Sequence, residues 1–243
     1  IVGQNISEST ITVEVQGRSV TLSLAEIADI KEVREWAGPS TKPMYGGLPR
    51  SSQAEQAMDA QLIEEATAHA GSREAASREF MKVGWEYHDQ GDLNTAMKRF
   101  NQAWLLNPKN ADVFWGFGSV SLAHRDADEA IEMFKKAIAL NPKHAIALCS
   151  LGSAYQLKAH TVRWLRAKQA VYLEHSDQAF QQGSQADPQE EFCYSTWAIT
   201  LFLQHRHQEA WDKIAIARRL GGRTINSDFL QDLSAAMPEP PTN

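Results

Sequence analysis

Six pairs of residues held 34 positions apart constrain this chain more than any other feature. Gly84 and Gly118, Ala96 and Ala130, Phe100 and Phe134, Ala103 and Ala137, Leu106 and Leu140, and Pro108 and Pro142 all keep that spacing. A further step leads from Gly118 to Gly152, with Tyr155 after Gly152 as Tyr87 comes after Gly84. A period of this length belongs to arrays of one supersecondary unit, each burying its apolar face against the next. Such a chain stacks rather than wraps around one central core.

Residues 80–110, reading FMKVGWEYHDQGDLNTAMKRFNQAWLLNPKN, resemble the tetratricopeptide repeat (TPR) family nearly position for position. The resemblance implies a mainly α fold, a right-handed α-solenoid of about four helical hairpins closed by a capping C-terminal helix. The residue types suit that architecture physically. Gly84, Gly118 and Gly152 let the two helices of a hairpin approach, with Ala96 and Ala130 doing the same from the other side. Phe100 and Phe134 fill the space between units, and Pro108 and Pro142 stop each second helix because proline cannot continue it. The block from Gly84 to Asn110 also looks like bacterial TPR proteins, some of them exported.

This register places repeats near 77–110, 111–144, 145–190 and 191–224, a helix over 54–70 before them and a capping helix near 226–237. In the fourth unit Ala198 stands for the glycine and Gly222 for the terminal proline. Pro142 and Pro188 are 46 apart, an insertion of 12 that is expected to lengthen the second helix of repeat three into a prong by roughly 18 Å. Before the repeats, residues 11–24 alternate apolar and polar around Gln16 and Gly17, a β-hairpin pattern. Ser23 and Glu26 then open a short amphipathic helix, giving a small appendage over residues 1–36. A lone hairpin is marginal in water, so it packs on its helix, on the repeats or on a second chain. Residues 37–53 are a Pro/Gly/Ser linker in which Met44, Tyr45 and Leu48 are expected to lie along the repeats.

With 30 acidic and 24 basic residues spread along the chain there is no polybasic block, which disfavours nucleic acid and anionic lipid as partners. No stretch reaches the ~18 apolar residues that span a bilayer. Cys149 and Cys193 lie in apolar helical contexts and read as buried small hydrophobes. Because the sequence begins at Ile1, an upstream segment is expected to have been removed. An envelope or periplasmic location is slightly favoured over the cytoplasm.

In the TPR family the first helix of each hairpin lines the concave face. The resemblance therefore implies a groove of Arg78, Met81, Trp85 and His88; Asp112, Trp115, Ser119 and Leu122; Ile146, Cys149, Ser153 and Gln156; and Phe192, Ser195, Ile199 and Phe202. Members that clamp acidic chaperone tails carry Lys, Asn and Arg where this chain has Met81, Trp85, Gly116, Ile146 and Ser150, so that clamp is missing. The groove suits an apolar or aromatic segment anchored on Trp85 and Trp115, or else the chain's own linker through Met44 and Tyr45. Arg163, Trp164, Arg166 and Tyr172 on the prong form a second candidate interface, or pack on the chain itself.

No phosphate loop, HExxH or GxSxG occurs. His205 and His207, two apart, are expected to point to different sides of a helix, so no metal, cofactor or catalytic set is expected. Two readings stay open. One is a non-enzymatic module binding a peptide or protein in the groove. The other is a structural protein that self-associates or docks through the hairpin or the prong, its groove filled by its own linker.

Overall fold

In the computed structural model, residues 10–15, 18–23, 39–47 and 52–241 are described. The chain divides into two units, Ile1–Ala37 and Gly38–Asn243. In the first, β1 (Thr10–Val15) and β2 (Arg18–Ser23) pair antiparallel, Ile11 opposite Leu22 and Val13 opposite Val20. The apolar positions of the two strands are therefore in register with each other. The short helix expected after Ser23 lies outside the described residues.

The second unit begins with α1 (Gln53–Ala70). Four hairpins follow: α2 (Arg73–Asp89) with α3 (Leu93–Leu106), α4 (Ala111–Ala123) with α5 (Ala127–Leu140), α6 (Ala145–Thr161) with α7 (Arg166–Ala186), and α8 (Glu191–Leu203) with α9 (His207–Arg219). Helix α10 (Ser227–Ala236) closes the array. The result is a right-handed α-solenoid.

Local chemistry sets where the helices start and turn. Ser52 and Glu55 form a reciprocal capping box at α1. Asp92 and Asp126, one period apart, accept the backbone N–H of Thr95 and Glu129 at 3.0 and 3.1 Å and so cap α3 and α5. Within hairpins, the residue between the helices adopts left-handed backbone: Gly91 in repeat one, Arg125 in repeat two, His205 in repeat four. All three donate to a carbonyl three residues back, at 2.9 Å. Between hairpins, Asn107, Asn141 and Asp187 accept from the N–H two residues on, which holds the turns around Pro108, Pro142 and Pro188.

Packing follows the same period. The rings of Phe100, Phe134 and Phe180 are fully buried and lie so close to Gly84, Gly118 and Gly152 that a methyl group there would collide with them. Phe180 is the repeat-three counterpart of Phe134, displaced by the insertion. Ser176 then takes the place of Ala130, and its hydroxyl donates to Gly152 O at 2.9 Å. In repeat four the corresponding residues are Ala198, Ala210, Ile214 and Ala217, all fully buried.

The insertion is not confined to the second helix. Helix α6 has 17 residues against 13 in α4, and α7 has 21 against 14 in α5. The remaining residue is in the turn 162–165. Lengthening both helices keeps the hairpin antiparallel, whereas a single long helix would leave its extension without a partner.

The cysteines also differ from expectation. Cys149 of α6 and Cys193 of α8 are joined in a disulfide, their Cα atoms 5.3 Å apart. Successive first helices touch along the solenoid, so residues 44 apart in sequence face each other.

The described part of the linker, residues 39–47, lies on α3, the second helix of repeat one. Asn101, fully buried, donates through Nδ2 to Ser40 O and Lys42 O at 3.0 and 2.8 Å and accepts from Tyr45 N at 3.2 Å. Met44, Tyr45, Gly46 and Gly47 all have positive φ. That conformation costs roughly 1–2 kcal/mol per non-glycine residue, and here it seats Tyr45 against the stack, 8 % exposed. Met44 and Tyr45 are thus held on the second-helix side rather than in the groove of first helices.

At the far end, Glu191 accepts from Thr224 N at 3.2 Å and from its hydroxyl, fixing the turn before α10. Leu233 is buried, and Trp211 Nε1 donates to Met237 O at 3.0 Å. The apolar end of repeat four is thereby covered.

Candidate groove on the first helices

Because α2, α4, α6 and α8 contact one another in succession, the side chains they turn away from the second helices form a continuous surface. Its centre is an aromatic ladder. The Trp85 ring stands 4.2 Å from Trp115, 5.2 Å from Phe100 and 5.1 Å from His88 between centroids. Trp115 continues to His144 at 5.9 Å, and its Nε1 donates to Ser150 Oγ at 3.2 Å. Both indoles are half-buried. The ladder crosses three repeats, and aromatic pairs of this kind contribute about 0.5–1.5 kcal/mol each beyond their burial.

His144 occupies the cap position before α6 but makes no side-chain cap bond. Its Nε2 lies 2.9 Å from Asp112 Oδ1 instead, joining repeats two and three. That hydrogen bond holds the Asp112 carboxyl below the usual carboxylate range, against the opposing effect of burial. Beside the pair a cleft of about 380 Å³ is lined by Asp112, Asp187 and Glu190, with Lys143, His144 and Ile146 among the other walls. Three carboxylates and one lysine line it.

The sequence-derived groove residues divide into two groups. Trp85, His88, Trp115 and, through His144, Asp112 are brought together; Arg78 is exposed at the entry. Ile146 is half-buried at the cleft. Most of the others also make contacts within the fold. Met81 is 5 % exposed, and Cys149 is in the disulfide. Ser119 and Ser153 donate to Trp115 O and Cys149 O on their own helices. Leu122 packs on the cluster around Phe134 and Leu151. Gln156 donates to Thr196 O and Thr200 Oγ1 at 2.8 and 2.6 Å, tying α6 to α8. Ser195 bonds Thr224, and Phe192 packs into the repeat-four core. Phe202 meets Phe229 of α10 at 5.6 Å. Ile199 is half-buried. The aromatic ladder lies in the N-terminal half of the expected groove.

His144 and Ser150 are the residues that sequence reading did not assign to it. One signal was available for His144: it stands one period after Asn110, which caps α4, and a histidine at a cap position is unusual enough to ask what its ring bonds to.

On the prong, Trp164 is 68 % exposed, and Arg163 and Arg166 are open to solvent beside it. Tyr172 belongs to the base instead, stacked on Tyr155 at 6.4 Å, with His175 also 5.2 Å from Tyr155. His205 and His207 meet edge to face at 5.9 Å, because His205 sits in the left-handed turn and not on a helix. Among the described residues no group of three or more His, Cys, Asp or Glu side chains is placed to hold a metal ion, and no helix is long and apolar enough to cross a membrane.

Comparison with known proteins supports the fold. A thermophilic TPR protein of Thermus thermophilus superposes with a TM-score of 0.60 at 17% identity, over 67% of this chain and 84% of its own. The APC/C hetero-tetramer Cut9-Hcn1 matches with a TM-score of 0.54 at 17% identity, over 76% of this chain and 34% of that one. No curated protein sequence matches. Residues 116–231, a little under half of the chain, match the family described as the plant-specific mitochondrial import receptor subunit TOM20. The fold is that of TPR proteins. The expected envelope or periplasmic location is overturned by the family match, since the matched family is described as mitochondrial and plant-specific; the bacterial resemblance of repeat one gains no support from it.

Proposed function

We propose that this chain is a non-enzymatic protein-binding module that holds a segment of another polypeptide against the Trp85–Trp115–His144 ladder. The observation that carries the reading is the pair of half-buried indoles packed at a tilt, 4.2 Å between centroids, on the first-helix surface. Partly exposed aromatic surface of this kind, next to fixed polar groups, is what interfaces use as anchors. The carboxylates of Asp112, Asp187 and Glu190 beside it favour a ligand that carries a basic side chain near its apolar ones. The match of residues 116–231 to a mitochondrial import receptor subunit supports a receptor role, with a polypeptide bound for mitochondria as the ligand class.

The competing assembly role, with the groove filled by the linker, has less support, since residues 39–47 are held on α3 by Asn101. The test is a peptide-display selection on the wild-type protein, followed by titration of the selected peptides against Trp115→Ala and Asp187→Ala/Glu190→Ala. Selected peptides should combine aromatic or large aliphatic residues with Lys or Arg, and should bind Trp115→Ala roughly tenfold more weakly or worse. Peptides that bind Trp115→Ala as well as wild type would refute the groove as the site.

A further inference from the structure

The added residues of repeat three build a tip that has no counterpart in the other hairpins. With four extra residues in α6 and seven in α7, the hairpin runs roughly 6–10 Å longer than its neighbour, at 1.5 Å per residue. Its apex is apolar and open: Trp164 is 68 % exposed, Leu165 44 % and, one turn into α7, Val171 53 %. Arg163, Arg166 and Lys168 are open to solvent around it. Arg125, in the turn between α4 and α5, is exposed as well. Burial, and then the charges of Arg163 and Arg125, hold the His160 imidazole below its ordinary pKa; both guanidinium groups are within electrostatic range of that ring.

The carboxylates near this edge are engaged elsewhere. Asp128 pairs with Lys158 at 2.6 Å, Asp126 caps α5, and Glu174 accepts from Gln178. Among the described residues no ion pair engages Arg125, Arg163, Arg166 or Lys168. Arg163, Arg166 and Lys168 at the apex, and Arg125 within electrostatic range of His160, thus have no counter-ion among the described residues of a chain whose net charge is −6.

We propose that this tip docks on an anionic lipid surface, with Trp164 and Leu165 entering the boundary between headgroups and acyl chains and Arg125, Arg163, Arg166 and Lys168 meeting lipid phosphates. A convex apolar apex needs a partner that deforms around it, and a bilayer interface does so to a depth of about 5–10 Å. Indole and guanidinium side chains are suited to that boundary, since both have an apolar body and a polar end. The composition gives no sign of this site because its cations come from two segments brought together by the stacking of repeats two and three.

The experiment is vesicle co-sedimentation of the full chain, using phosphatidylcholine with and without phosphatidylglycerol. Binding is expected to the anionic vesicles only and to weaken as salt is raised. Trp164→Ala should weaken it roughly tenfold. Each of Arg163→Gln and Arg166→Gln should weaken it about fivefold, the equivalent of ~1 kcal/mol per cation near the surface. Brominated lipid should quench the wild-type fluorescence and lose that effect in Trp164→Ala. All of these side chains are open to solvent, so the variants should unfold at the wild-type temperature. Absence of vesicle binding, or equal binding by Trp164→Ala, overturns the proposal. So does binding of polyglutamate in place of vesicles, which would assign the tip to an acidic polypeptide. A concentration-dependent mass abolished by Trp164→Ala would likewise overturn it, assigning the tip to a second copy of the chain.

Discussion

Gly183 of α7 lies directly against the sulfur of Cys149: a methyl group at position 183 would fall on Cys149 Sγ and within 3.2 Å of Ala145 O and Cys149 N. The glycine and the disulfide are therefore one feature of the join between repeats three and four. Closing a loop of 44 residues restrains the unfolded chain by about 4 kcal/mol in the chain-entropy treatment. Reduction should accordingly lower the free energy of unfolding by about 2–4 kcal/mol, read from urea denaturation with and without a phosphine reductant. Gly183→Ala should cost more in the oxidised protein than in the reduced one. Equal costs in both forms would separate the glycine from the disulfide.

The ring of Phe180 plays the part of Phe134 one unit further on, and its place depends on where the insertion lies. Phe134→Ala and Phe180→Ala should each lose roughly 3–5 kcal/mol, the usual cost of removing a fully buried ring. A loss under about 1 kcal/mol from Phe180→Ala would contradict its seat against Gly152.

Arg125 and His205 occupy the turn position that glycine fills at Gly91, with φ of 60° and 62°. Left-handed backbone costs a side-chain-bearing residue about 1–2 kcal/mol, and glycine returns part of that gain to the unfolded state. Arg125→Gly and His205→Gly should each leave stability unchanged or raise it by up to about 1 kcal/mol in thermal or urea unfolding. A clear loss from either would mean that its side chain contributes more than the strain it carries.

Asp112 gives the groove a dependence on acid. Its folded pKa is depressed by the bond to His144, so the stabilisation is complete above the unfolded value of about 3.9 and disappears as pH falls through the lower folded value. Asp112→Asn should flatten that part of the stability profile at acid pH, measured by urea midpoints at descending pH. An unchanged acid limb would show that the pair contributes nothing to folding.

How far the sequence can be read depends on whether a feature repeats. Asp92 and Asp126, Phe100 and Phe134, and Pro108 and Pro142 each recur one period on, so hairpin, turn and core positions are legible from spacing. The fourth repeat is legible through Ala198, Ala210, Ile214 and Ala217, because small and apolar residues keep their places even where the glycine and proline do not. Phe180 is not legible that way, since an insertion shifts its register and a period shows only where it is kept. Several of the expected groove residues also make internal contacts that spacing does not reveal. Gln156 and Phe202, for example, occupy outward positions on their helices but meet α8 and α10.

Spacing along the chain was enough to define the repeating unit: where each hairpin lies and which small and apolar residues recur at its packing positions. Those outcomes follow from interactions within about one period of chain, where spacing translates directly into contact. The disulfide between Cys149 and Cys193, the ladder from Trp85 to His144 and the seat of Tyr45 on α3 emerge only in the tertiary structure. Each of these depends on how successive units are rotated against one another. That rotation arises from the summed packing of whole helices, and no short stretch of sequence encodes it.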